Sequence, residues 1–457
     1  MPATELTCFK VYDIRGRLGI DLDVAIAYRI GRAFAQALGA SRVVLGRDVR
    51  ASSETLAAAV ARALVDEGCE VLDLGLSGTE EMYFATSHFG ADGGICVTAS
   101  HNPMDYNGMK MVRAGAAPLD TETGFARIKA LAETADFGTR RAGGTLRGVS
   151  ENARAAYVER VLSFVDIAAL KPLTILVNAG NGAAGPTFDA IAAELARRGA
   201  PLRFEPLHHD PDGRFPHGIP NPLLPENRPK TADAVRAAGA DFGVAWDGDF
   251  DRCFFFDHDG GFINGEYVVG LLAECFLAKE PGATIIHDPR VVWNTRDLVA
   301  TSGGKAVQAR TGHAFVKQAM RDEGAIYGGE MSAHHYFRDF FHCDSGMIPW
   351  LLVAELVSRK GPLAALVGSR RAAFPSSGEI NFTLAHPAKA MANVRAAFEP
   401  KAKAIDEIDG LSLDMDDWRF SLRRSNTEPV VRLNVEARGD PARVTAGVAA
   451  VKAVLCL

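Results

Sequence analysis

In Gly93–Lys110, GGICVTASHNPMDYNGMK, an apolar run delivers Ser100 into residues that turn the chain. Asn102-Pro103 and Asn107-Gly108 both predict a tight loop, since proline fixes φ while Asn and Gly tolerate positive φ. A serine so placed can serve a turn, a helix cap, a phosphate contact or a nucleophile. Asp247, Asp249 and Asp251 alternate in DGDFDR after the apolar run ADFGVAW. Three carboxylates on one turn repel unless a cation joins them, and with only three they leave room for a phosphate oxygen, which suits octahedral Mg²⁺. An EF-hand fails on spacing, because Arg252 stands where glycine is needed and His258 where the closing glutamate belongs.

Two further clusters are rich in donors and acceptors. Arg423, Arg424, Ser425, Asn426 and Thr427 place guanidinium, hydroxyls and an amide on one loop before Pro429, a composition that clamps phosphate or simply caps a turn. In GEMSAHH, Glu330, Ser332 and His334 alternate, so on an extended backbone they share a face and could bond vicinal sugar hydroxyls, or form an ordinary surface loop. Gly180–Gly185 reads GNGAAG between a strand and a helix, with Glu205 at the interval of a dinucleotide fingerprint. The same glycines suit any closely packed strand-turn-helix. Arg15 lies on an early turn, and His313 just ahead of the helical AFVKQAMRDEG.

The elements that must position these groups alternate along the chain. After Asp21, a candidate N-cap, LDVAIAYRIGRAFAQAL has helical apolar spacing; SRVVLGRD then reads as a buried strand, SSETLAAAVARALVDEG as a helix, EVLDLGL as a strand, EEMYFATSHF as a helix and GGICVTA as a strand. This βαβ arithmetic predicts a mostly parallel sheet covered by helices. It restarts at LTILVNAGNGAAG and at ATIIHDPRVVWNTRDLVATSGG, and changes after Arg370 to GEINFTL, a helix from Pro387, strands WRFSLRR and EPVVRLNVEAR and a last helix. The expectation is three related α/β domains with mixed, mostly parallel sheets, over residues 1–148, 149–256 and 257–369, and a smaller α+β domain over 370–457.

Bulk properties exclude several classes. The 457 residues exceed what one core holds, and 47% hydrophobic with 23% charged residues is a globular composition. A net charge of −6 offers no basic stripe for nucleic acid. Seven scattered cysteines without CxxC spacing argue against a disulfide framework and a structural zinc. No apolar run reaches the roughly 18 residues of a membrane span and no signal peptide is evident, which points to the cytoplasm.

Four motifs, TASHNP around Ser100, DGDFDR at Asp247–Arg252, GEMSAHH at Gly329–His335 and RRSNTEP at Arg423–Pro429, one per inferred domain, together resemble the α-D-phosphohexomutase superfamily and its bacterial phosphomannomutase branch. The resemblance implies four domains around a central cleft and exchange of phosphate between the 1- and 6-positions of mannose through a hexose 1,6-bisphosphate, which also serves as activator. Ser100 would be carried as phosphoserine, with Mg²⁺ on its phosphate and on Asp247, Asp249 and Asp251. Glu330, Ser332 and His334 would hold sugar hydroxyls, and Arg423, Ser425, Asn426 and Thr427 the phosphate that is not reacting. Arg15, His101, Lys110 and Arg252 would line the reacting centre, with His313 near the proton transfer. The implied partner is a small hexose phosphate, with neither nucleic acid nor membrane, and the protein a monomer or homodimer. Ala333 replaces the glycine of many relatives and His335 adds a second histidine, a variant similar to phosphomannomutases. Phosphoglucomutase or dual-specificity activity is the near alternative. A metal-dependent sugar phosphatase and a dinucleotide oxidoreductase are the alternatives of other classes.

Overall fold

A computed structural model describes residues 5–119, 124–424 and 430–456. The chain forms two compact units, Met1–Phe262 with Phe337–Arg359, and Ile263–Tyr336 with Lys360–Leu457.

In the first unit one sheet runs in the order Ile14–Arg17, Tyr106–Arg113, Gly93–Val97, Arg42–Arg47, Glu70–Leu76, Thr145–Gly148. The last four are mutually parallel and the first two antiparallel. The alternating apolar pattern becomes its core, where Val43, Leu45, Val71, Ile95 and Val97 meet Ile30 and Phe34 of the helix Val24–Leu38 and Val60 and Leu64 of Ala51–Asp66. Those helices approach closely because position 31 is glycine: a Cβ there would sit 2.8 Å from that of Ala63. The first helix is capped by Asp23, whose carboxylate accepts from Ile26 N–H, rather than by Asp21, which accepts from the Thr7 hydroxyl and the Arg17 N–H.

Asn107-Gly108 is not a turn. Both residues lie inside the strand Tyr106–Arg113, where Gly108 is required because a Cβ would come within 2.1 Å of Ile14 O, and the Asn107 amide donates to the hydroxyls of Ser52 and Ser53. The strand carries Lys110 back beside Ser100. A second sheet of this unit sets Leu173–Asn178 parallel to both Leu202–Leu207 and Phe242–Trp246, with Cys253–Asp257 antiparallel to the latter. The carboxylates Asp247, Asp249 and Asp251 lie in the connection between these last two strands.

The second unit contains the parallel strands Lys305–Gln308, Thr284–His287 and Tyr327–Gly329. Its C-terminal part is a fully antiparallel sheet, ordered Ser376–Thr383, Val430–Ala437, Trp418–Arg424, Leu411–Asp414, Ala404–Asp406. The helices Pro387–Phe398 and Pro441–Leu455 bury Val394 and Val451 against Phe420, Leu422, Leu433 and Val435. The expected change of character after Arg370 is therefore a change from parallel to antiparallel pairing. Among the described residues the cysteines form no disulfide, and no helix is long and apolar enough to cross a membrane.

Candidate active site

Each unit gathers one set of the candidate side chains. In the first, Ser100 ends the buried stretch after the strand Gly93–Val97 with φ +49°, in the left-handed region a non-glycine residue enters only when its surroundings hold it there. Its N–H donates to Thr98 Oγ1 at 2.8 Å, and its hydroxyl, 2% exposed as a residue, donates to Asp247 Oδ2 at 2.7 Å. His101 Nδ1 lies 2.9 Å from Ser100 Oγ, and Arg252 Nη2 donates to the same oxygen at 3.2 Å. Arg252 also binds Asp247 Oδ2 through Nε at 2.9 Å and reaches His101 Nδ1. Lys110 Nζ donates to Asp249 Oδ2 at 2.8 Å and to Asp251 Oδ2. Arg15 does not touch these carboxylates. It braces the serine loop instead, donating to Ala99 O at 2.8 Å and Asn102 Oδ1 while paired to Asp13.

Three fully buried carboxylates here face two buried cations. Burial opposes the charge on Lys110, but Asp249, Asp251 and Asp247 outweigh it and raise its pKa. Arg252 is raised likewise, against burial, by Asp247, Asp251 and Asp249. Burial would push Asp249 up, yet Lys110, the Thr79 hydroxyl and Arg252 hold it well below the usual carboxylate range. His101 keeps 34% of its side chain exposed, but loss of water around the ring and the neighbouring Arg252 and Arg15 guanidiniums depress its pKa well below 6.5, so it is neutral at neutral pH. Two acceptors remain unanswered: Asp247 Oδ1 and Asp249 Oδ1 are buried without a hydrogen-bond partner among the described residues. Oxygen atoms of Asp247, Asp249 and Asp251 come within 4.8 Å of one another. An all-oxygen donor set with orphaned lone pairs and excess negative charge fits a hard divalent cation.

The glycines of GNGAAG find their reason at this loop. Gly180 has φ +59° and packs on Pro220, a Cβ on Gly185 would meet His209 O at 2.2 Å, and one on Gly182 would meet Gly248 O at 2.8 Å. Ala183 N–H donates to Gly248 O at 3.0 Å, and a Cβ on Gly248 would in turn lie 2.6 Å from Ser100 O. Three backbones are thus stacked without side chains between them, and the fingerprint spacing is explained by close packing. Glu205 is engaged by Arg203 at 2.6 Å. Gly182→Ala is expected to displace the carboxylate loop and weaken divalent-cation affinity by about 10-fold or more. Calorimetric titration with Mn²⁺ checks this, and unchanged affinity would contradict it.

In the second unit the trio Glu330, Ser332 and His334 converges, but on a turn rather than an extended strand. Glu330 N–H donates to His334 O and Ala333 N–H to Glu330 O, both at 3.0 Å, which folds the chain back. Ser332 Oγ and Glu330 Oε2 lie 3.2 and 3.3 Å from His334 Nδ1. Ala333 takes φ +70°, a conformation glycine adopts freely and alanine only under constraint. His335 points the other way: it is fully buried, bonded to Tyr327 OH at 2.7 Å, and burial followed by His334 lowers its pKa to about 3. Glu330 Oε1 accepts from Gly312 N–H, next to His313 at the start of the helix His313–Asp322, and Oε2 from Tyr336 OH. Arg290, buried and donating through both Nε and Nη2 to Asp288 Oδ2, also donates to Ser332 Oγ at 3.2 Å and lies 3.7 Å from Glu379, which is 3.6 Å from Arg423. Arg423 also donates to Asp409 at 2.9 Å. Ser425, Asn426 and Thr427 lie outside the described residues.

Glu330 yields a pH prediction. Burial raises its pKa, but His334, Arg290 and Tyr336 prevail and lower it from 4.5 to about 2. A depressed carboxylate stabilises the fold above its unfolded pKa and loses that contribution as pH falls through the folded value, here between 4.5 and about 2. The effect is on the order of 3 kcal/mol. Urea midpoints measured across this window should fall less steeply in Glu330→Gln than in the parent, and identical slopes would contradict the assignment.

Thr79 and Arg50 carry no chemical signal in the sequence, yet both hold the first cluster. Thr79 opens the helix Thr79–His88 and donates its hydroxyl to Asp249 Oδ2 at 2.6 Å and its N–H to Asp249 O at 3.2 Å. Arg50 binds the serine loop's carbonyls.

The chain is similar to known proteins along most of its length. Family models described as phosphoglucomutase/phosphomannomutase alpha/beta/alpha domains I, II and III match residues 7–139, 155–261 and 264–374, and the C-terminal domain of that family matches 379–454. The chain is 61% identical over 438 residues to a phosphomannomutase of Salmonella montevideo, covering 95% of this chain and 96% of the relative. It is 58% identical over 458 residues to one from Escherichia coli, covering 99% and 100%. A protein of Xanthomonas campestris pv. campestris named for phosphohexose mutases is 55% identical, with 96% of each chain covered. Among solved structures, a phosphoglucomutase/phosphomannomutase family protein from Burkholderia thailandensis superposes with TM-score 0.86 at 34% identity, covering 99% of this chain and 98% of that one.

Proposed function

The chain belongs to the phosphoglucomutase/phosphomannomutase family, and on that premise we propose that it is a phosphomannomutase, interconverting mannose 6-phosphate and mannose 1-phosphate with Ser100 as the phosphoryl carrier, to supply GDP-mannose and polysaccharide synthesis. The observation that carries the reading is the buried Ser100 hydroxyl, set 2.7 Å from Asp247 and 3.2 Å from Arg252 beside two carboxylates held by Lys110. A serine oxygen is a poor leaving group unless the charge that develops on it and on the moving phosphoryl is neutralised.

Starting from mannose 1-phosphate, the bond between phosphorus and Ser100 Oγ breaks as a new one forms to the free 6-hydroxyl oxygen, whose proton passes in net to Ser100 Oγ, giving the 1,6-bisphosphate; mannose 1-phosphate is supplied by the same steps in reverse. In the second half the 1-phosphate returns to Ser100 and mannose 6-phosphate leaves. Arg252 Nη2 is placed to take up charge at Ser100 Oγ, and the neutral His101 Nδ1 stands 2.9 Å from the same atom, able to hold a hydrogen bond there without adding charge. A raised pKa keeps Lys110 protonated, so it acts by electrostatics and by aligning Asp249 and Asp251 rather than as a base. Mg²⁺, bound by Asp247, Asp249, Asp251 and the phosphate of Ser100, would supply further neutralisation of the phosphoryl oxygens. Glu330, Ser332 and His334 provide partners for vicinal sugar hydroxyls. Arg423, with Ser425, Asn426 and Thr427, grips the phosphate that is not reacting, His313 serves the proton transfer and Arg15 steadies the serine loop. Hexose 1,6-bisphosphate is the activator that keeps Ser100 phosphorylated. The setting is the cytoplasm, the protein a monomer or homodimer, and its partners free hexose phosphates.

A glucose phosphate is the second substrate to consider, because the Xanthomonas relatives carry the broader name phosphohexose mutases. A coupled assay with Mg²⁺ and catalytic hexose 1,6-bisphosphate, comparing mannose 1-phosphate with glucose 1-phosphate, tests both. A higher kcat/KM for mannose supports the proposal, and equal values widen it to dual specificity. Release of inorganic phosphate without isomer formation overturns it in favour of a sugar phosphatase.

A further inference from the structure

We propose that Arg50 is a positioning residue for phosphoryl transfer, its guanidinium locking the backbone of the Ser100 loop in the one conformation that aims the hydroxyl at Asp247 and Arg252. Arg50 precedes the helix Ala51–Asp66 and is 3% exposed. Nη2 donates to Ser100 O at 2.9 Å and Asn102 O at 2.5 Å, and Nη1 to Pro103 O at 2.9 Å and Tyr106 O at 3.3 Å. One planar fork thus collects four carbonyls from both ends of the loop.

The geometry asks for such a clamp. Ser100 has φ +49°, a conformation that is strained for a residue with a Cβ and persists only where neighbours impose it. Its carbonyl is fixed from one side by Arg50 and from the other by the close approach of Gly248. Arg50 is itself immobilised: its N–H donates to Asp48 Oδ1 at 3.0 Å, its Nε lies 3.5 Å from Asp48 Oδ2, and the Phe215 ring centroid is 5.6 Å from its guanidinium carbon. A lysine offers a compact ammonium on a flexible stem and cannot span four divergent carbonyls. Both terminal nitrogens of the Arg50 guanidinium are spent on backbone oxygens, so it acts through the serine's orientation rather than by touching the reacting atoms.

The inference rests on the reading of Ser100 as phosphoryl carrier, and its test separates the two. Arg50→Lys should lower kcat by about 100-fold, the scale of a 1 Å misplacement, while KM for the hexose phosphate stays within about twofold. Hydrogen exchange should accelerate in residues 99–107 and not in the C-terminal sheet. If Arg50→Ala folds, free guanidinium should restore part of its kcat; if it does not fold, Arg50→Lys carries the test. Wild-type kcat and exchange in Arg50→Lys, or a loss confined to KM, would overturn the assignment. A wild-type protein without mutase activity would refute the proposed function instead, leaving the exchange of residues 99–107 to report directly whether Arg50 holds the loop.

Discussion

Ser100→Ala is expected to lower mutase kcat by at least about 10³-fold, the scale seen when an enzyme loses its nucleophile. The fold should survive the change. Asp247 Oδ2 keeps Arg252 Nε at 2.9 Å when the serine hydroxyl is gone, so the hydroxyl's hydrogen bonds to Asp247, Arg252 and His101 are lost but the ion pair stays. Two measurements decide the matter: turnover in the coupled assay, and phosphate retained on the protein after incubation with hexose 1,6-bisphosphate. Activity within tenfold of the parent would remove Ser100 from the reaction, and labelling of the Ser100→Ala protein would place the carrier on another residue.

Lys110→Met should be the most damaging change to stability among the site residues, about 3–5 kcal/mol, because it leaves buried carboxylates without their cation. Lys110 Nζ bonds both Asp249 and Asp251, and Asp249 would retain only Thr79 among its hydrogen bonds to side chains. The pH dependence follows from the raised pKa of Lys110. Such a contribution is complete below the unfolded value of 10.5 and is lost only as pH rises through the still higher folded value. The difference between parent and variant, read from denaturant midpoints, should therefore be constant from pH 7.5 to 9. A difference that vanishes across that range would show the ammonium to be neutral there. Added Mn²⁺ should recover part of the lost stability by mass action on the vacated carboxylates.

The chemistry-bearing residues were legible because their types are unusual where they stand: three aspartates after an apolar strand, and a serine at the end of another. Strands and helices were legible for a similar reason, since period and length agree, and the helix Pro387–Phe398 begins at the expected residue. What escaped depends on partners remote in sequence. Arg50 acts on a carbonyl 50 residues away and Thr79 on a carboxylate 170 residues away, and neither distance leaves a local trace. Asn107-Gly108 has turn composition, but its glycine answers to the Ile14 carbonyl on a neighbouring strand. His334 and His335 differ only in direction, which the turn at Ala333 decides.

The stacked backbones at Gly182, Gly248 and Ser100 have a thermodynamic consequence. With no side chain between them to absorb a shift, the carboxylate loop and the serine cannot adjust independently. Cation binding and the chemical state of Ser100 should then be linked functions: the factor by which phosphorylation of Ser100 tightens cation binding equals the factor by which the cation favours the phosphorylated serine over the unmodified one. Titrating Mn²⁺ into the phosphorylated and the dephosphorylated protein reads this factor directly, and equal affinities would show the two loops to be uncoupled. A scarce cation would then bias the protein toward its unphosphorylated form, making ion supply a control on how much of it stands ready to turn over.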